Sequence, residues 1–183
     1  MRGRLLLGLF VLGLVGVSVA AAGLNRSWSV HANGSQEVPA RDTQGQAQAI
    51  FHLSKDGSSL DYKLIASNIE NVFMAHIHCG APTVNGPITV WLYPSPAPPP
   101  MAGPPGAGRH DGVLVTGTFT DANVIDLAPN PANCTGGISD IGDVIELLQN
   151  GGAYVNVHTN LDGPPFTNQP GDIPGGEIRG NTP

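Results

Sequence analysis

Apolar and polar residues alternate with a period of two in several short segments of this chain, and glycine or proline punctuates the gaps between them. That pattern commits the fold to β-sheet. From Gly45 to Ser54, Ala47, Ala49, Phe51 and Leu53 fall on one face, with Gln46, Gln48, Ile50 and His52 on the other. Lys55-Asp56-Gly57-Ser58 turns the chain and Leu60 to Ile65 alternates again, so residues 45–65 read as a hairpin. Ile88 to Tyr93 is a β-branched and aromatic strand, and Asp111 to Thr120 is another, with Val113, Val115 and Phe119 on one side. Ser27 to Ala32 reads as a first strand at a sheet edge, and Glu177-Ile178-Arg179 as the last. One helix is expected over Ser139 to Asn150, where Ile141, Val144, Ile145 and Leu148 share a face, Ser139 can cap the start and Gly151 can end it. Many short strands with frequent turns and one short helix point to an all-β Greek-key β-sandwich.

Two of the alternating segments carry chemistry. In Phe73 to Gly80, strand parity sends Phe73, Ala75 and Ile77 into the core and puts Met74, His76 and His78 together on the other face. In Ala153 to Thr159, Ala153, Val155 and Val157 face in, and Tyr154, Asn156 and His158 face out. If the two strands are neighbours, His76, His78 and His158 converge, and three neutral imidazoles suit copper, with zinc the second choice. Met74, Tyr154, Asn156, Glu177 and Arg179 are candidates for its outer shell. Affinity for an ion should then collapse below about pH 6, near the ordinary histidine pKa. The competing explanation is a metal-free ladder in which Glu177, Arg179, Asn156 and the histidines satisfy one another, with Glu177 and Arg179 a structural charge pair.

Composition narrows the function classes. Fourteen acidic residues face eight basic ones, and the basic residues do not cluster, so a nucleic-acid partner is excluded. Arg2 and Arg4, the apolar run Leu5 to Val19 and the small residues Ala20-Ala21-Ala22 read as a secretory signal peptide over 1–22, leaving a single domain over 23–183. An uncleaved membrane anchor is the alternative; glycines interrupt the run, which favours cleavage and no membrane span in the mature chain. Export to the periplasm or the extracellular space follows, and there two cysteines, Cys79 and Cys134, favour a disulfide over a pair of thiolate ligands. Residues 94–108, with seven prolines, form an extended loop of polyproline character. No Ser-His-Asp set, phosphate loop or paired carboxylates emerges from the spacing, so the reading leans away from an enzyme.

Taken in order, Ala75-His76-Ile77-His78-x-Gly80, Asn85-Gly86-Pro87, Tyr154 to Thr159 and Gly176-Glu177-Ile178-Arg179-Gly180 resemble the CHRD domain first named in chordin, over about residues 29–181. The chain departs from that pattern in its proline-rich loop and in the long Asn160 to Gly175 loop. The resemblance implies an extracytoplasmic, immunoglobulin-like β domain, and leaves open a metal-free module that binds an extracytoplasmic protein. A more distant likeness is to copper/zinc superoxide dismutase, where a His-x-His strand supplies two copper ligands. Here no histidine-rich zinc loop follows His78, the next histidine being His110, which ranks a redox enzyme third.

Overall fold

The computed structural model describes residues 26–94, 102–128, 133–134 and 136–183. The expected signal segment and the centre of the proline-rich loop lie outside them. Eight strands form: β1 (Ser27–Asn33), β2 (Gln46–Leu53), β3 (Leu60–Glu70), β4 (Val72–Cys79), β5 (Ile88–Tyr93), β6 (Arg109–Phe119), β7 (Ala153–Thr159) and β8 (Ile178–Asn181). They make one antiparallel sheet in the order β5-β4-β7-β8-β1-β2-β3-β6. The sheet curls until its ends nearly meet. A bridge from Val90 to Val124 and a hydrogen bond from the Tyr62 hydroxyl to the Leu92 carbonyl, 2.6 Å long, link the two edges. The result is the expected all-β, sandwich-like fold.

Alternation decides what fills it. Ala47, Ala49 and Phe51 from β2, Leu60, Tyr62 and Leu64 from β3, and Ala75, Ile77, Val155 and Val157 from β4 and β7 all enter one buried cluster. Burying an aromatic or branched side chain of this size contributes roughly 1.5–3 kcal/mol, so these rows fix which face turns inward. The helix α1 (Ile141–Gln149) lays Val144 and Leu148, both fully buried, on the same cluster.

Three expectations change. β1 is not an edge, because β8 pairs with its free side through Asn33 and Arg179. The helix starts two residues late: Asp140, not Ser139, caps it by accepting from the Asp143 amide at 3.1 Å, while the Ser139 amide donates to the Asp143 carboxylate. In β6 the register slips between Leu64 and Ile65, whose partners are Val115 and Val113, so Leu114 is the extra residue and Val113 turns outward, 52% exposed.

Candidate functional site

β4 and β7 lie side by side with Met74 opposite His158, His76 opposite Asn156 and His78 opposite Tyr154. Because directly opposed residues share a face, this register gathers the three histidines. The His76 ring lies 4.8 Å from that of His158 and 5.4 Å from that of His78, and His78 lies 6.1 Å from His158, centroid to centroid. One ring nitrogen from each falls within 4.8 Å of the others. An ion bound at roughly 2.0–2.1 Å spaces its ligand nitrogens about 3–4 Å apart, so small ring rotations would complete chelation.

The sequence pattern implied an open outer face, and this needs correction. His76, His158 and His78 are only 0%, 6% and 9% exposed. They stand outside the apolar cluster, but loops cover them. The cover sets their tautomers. His78 Nδ1 donates to the Gly86 carbonyl at 2.9 Å, and His158 Nδ1 donates to the Pro174 carbonyl at 2.9 Å. A carbonyl only accepts, so both rings carry their proton on Nδ1 and keep a lone pair on Nε2. His158 Nε2 faces His76 Nδ1 at 3.1 Å, while His78 Nε2 and His76 Nε2 are buried without hydrogen-bond partners. Trp91, opposite His76 on β5, stands nearly perpendicular to it with ring centres 4.0 Å apart.

Burial disfavours the charged imidazolium and governs the titration of all three. His76 is pushed down to about 2 by burial and by the neighbouring His158 and His78. His158 is pushed down to about 3 by burial and by His78, against the opposing bond to Pro174. His78 is pushed down to about 4 by burial, with Arg179 adding to the effect and the Gly86 bond opposing it. The rings therefore stay neutral far below pH 6, which lowers the pH at which protons would compete for them.

The outer-shell candidates divide by what they touch. Tyr154 stacks on His78 with ring centres 4.7 Å apart and planes 9° from parallel, and its hydroxyl accepts from the Gly86 amide at 3.0 Å. Arg179 lies on the far side of Tyr154, its guanidinium carbon 3.4 Å from the ring centre. Its nitrogens donate to the carbonyls of Val84 and Ala81 and to the side chains of Asn85 and Asn181 at 2.9–3.1 Å. Arg179 thus ties the 81–87 loop down and holds the ring that holds His78. Met74 is half-buried opposite His158.

Glu177 and Arg179 are not the charge pair expected. Among the described residues the one ion pair is the exposed Arg109–Asp111. Glu177 instead accepts from the hydroxyls of Thr43 and Thr159 and the amide of Gly171 at 2.6–2.7 Å, and so fastens the 160–176 loop over the site. Asn156 donates to Glu37 at 2.9 Å. Glu37 was missed: it sits in a loop without periodicity, where no pattern marks it, yet it is 7% exposed and burial raises its carboxyl to about 7 against the pull of Asn156, Arg179 and Arg41. Cys79, next to His78 in sequence, is disulfide-bonded to Cys134.

The remaining histidines lie apart. His52 Nδ1 is 2.8 Å from the Ser27 hydroxyl, His110 approaches the Gly112 carbonyl, and His31 is an exposed β1 residue. Among the described residues the sheet gathers a single cluster of the kind that can hold a metal.

Fold and site together define a class: a curled antiparallel β domain with a covered polar face built around three imidazoles. A family model for the CHRD domain matches residues 28–182, and the chain belongs to that family. Neither a curated protein nor a solved structure matches it.

Proposed function

We propose that this domain is an exported metal-binding module that holds copper through His76, His78 and His158, for storage or delivery and not for turnover. One observation carries the reading: Gly86 and Pro174 fix two imidazoles with Nε2 turned into a buried site, where His158 Nε2 meets His76 Nδ1 and the Nε2 atoms of His78 and His76 have no hydrogen-bond partner. Bound copper would supply a Lewis-acidic ion whose exchange the covering loops control. The imidazole set favours copper over zinc by the general stability order. Export is supported by the N-terminal segment and by the disulfide, and among the described residues no helix is long and apolar enough to cross a membrane.

Elemental analysis of the protein purified from its exported fraction, beside a His76→Ala/His78→Ala variant, tests this. About one copper per chain is expected in the parent and none in the variant, with quenching of Trp91 fluorescence that a Trp91→Phe control removes. Equal metal in both would overturn the site. Because burial holds the rings neutral, affinity should persist to about pH 4–5 before protons compete. A second reading, a metal-free module that binds an extracytoplasmic protein, draws on Leu161 and Phe166, 47% and 40% exposed on a loop braced internally by Asp172. Loss of the metal with unchanged partner binding would favour it.

A further inference from the structure

Resting on that reading, we propose that the three-histidine site selects monovalent copper over divalent copper and over zinc. The argument starts from charge. The cluster consists of His76, His78 and His158 alone, so every ligand is neutral, and the two cysteines are joined to each other and offer no thiolate. The cost of taking an ion out of water grows with the square of its charge, so a divalent ion is penalised about fourfold more than a monovalent one in the same pocket. The three rings are at most 9% exposed, which leaves little water to offset that difference.

No carboxylate stands among the ligands to supply negative charge directly to the ion. The formal charge set against the His78 side is positive, since Arg179 backs the Tyr154 ring that stacks on His78. Glu177 is held by Thr43, Thr159 and Gly171 and Glu37 by Asn156, so the bonds of both carboxylates run to protein donors and neither joins the histidine cluster as a ligand. What the face does offer is soft. Met74 puts a thioether on the same strand face as His76 and His78, in register with His158, and Trp91 sets an indole against His76. Thioether and aromatic neighbours suit a polarisable monovalent ion better than a hard divalent one.

Competition with chromophoric chelators tests the selection on the mature protein, using Cu(I) under anaerobic ascorbate and Cu(II) and Zn(II) in its absence. Cu(I) is expected to bind at least ~100-fold more tightly than Cu(II), with zinc weaker still. Met74→Glu removes the thioether and adds a carboxylate at a half-buried position, and should shift the Cu(I)/Cu(II) ratio toward Cu(II) by at least about tenfold. Cu(II) or Zn(II) binding as tightly as Cu(I), or a ratio unmoved by Met74→Glu, would overturn the selection while leaving the copper site standing. Failure of every ion to bind would overturn the metal reading and this inference together.

Discussion

A methyl group at Gly86 would sit 1.7 Å from the Cys79 carbonyl oxygen, so only glycine lets the 81–87 loop come close enough for its carbonyl to reach His78. That contact explains the Asn85-Gly86-Pro87 motif, whose place beside the histidines was visible in the sequence but whose role was not. Gly176 is similar: its φ is +115°, and an added Cβ would fall 2.6 Å from Asn156 Oδ1 and 2.8 Å from Glu37 Oε1. Glu37 itself makes a prediction with a definite sign. Its folded pKa of about 7 lies above the ordinary 4.5, so the contribution of its protonated form is present below pH 4.5 and lost as pH rises through 7. Glu37→Gln keeps the acceptor for Asn156 without the titration. In urea unfolding the variant should match the parent near pH 4.5 and exceed it by roughly 1–3 kcal/mol at pH 8. An advantage that does not grow with pH would contradict the assignment.

At the scale of elements, β8 is four residues long yet carries the bracing of the site. The sequence pattern exposed its Gly-Glu-Ile-Arg-Gly motif, and parity put Glu177 and Arg179 on one face. It did not reveal that the two ignore each other, because their partners are loop carbonyls, hydroxyls and amides distant in sequence that no local pattern encodes. The same holds for the buried state of the histidines: β4 and β7 show alternation on both sides, and only the packing of the covering loops tells a covered polar face from an open one. The helix ends and the turn of the hairpin were legible to within a residue or two, whereas β3 runs on past Ile65 to Glu70 and Val113 was misplaced by a bulge at Leu114 that leaves no mark on periodicity. Arg179→Met should leave the Ala81 and Val84 carbonyls without their donors and remove the clamp on Tyr154. A loss of about 3–5 kcal/mol in urea unfolding, with looser copper binding, is expected; a loss under 1 kcal/mol would show that β8 does not brace the site.

Across the whole molecule, strand number and, outside the bulged β6, the inward faces of the core strands followed from alternation, but strand order did not. β4 meets β7 across the 73 residues between Cys79 and Ala153, and β8 meets β1 across the length of the domain, pairings set by shape and not by local sequence. The disulfide spans a separation of 55 residues and pins the end of β4 to the loop ahead of α1. In the chain-entropy account, closing such a loop stabilises the domain by about 4 kcal/mol. The parent protein should therefore show no free thiol when unfolded without reductant, and its urea midpoint should fall once Cys79 and Cys134 are reduced; two free thiols in the unreduced protein would refute the bond. The central claim, that three imidazoles on one covered sheet face hold copper, is tested most directly by X-ray absorption at the copper edge on the protein loaded with one equivalent. The expected spectrum has imidazole nitrogens from three histidines at about 2.0 Å, and it is lost in the His76→Ala/His78→Ala variant. Fewer than two imidazoles, or the same spectrum in the variant, would contradict it.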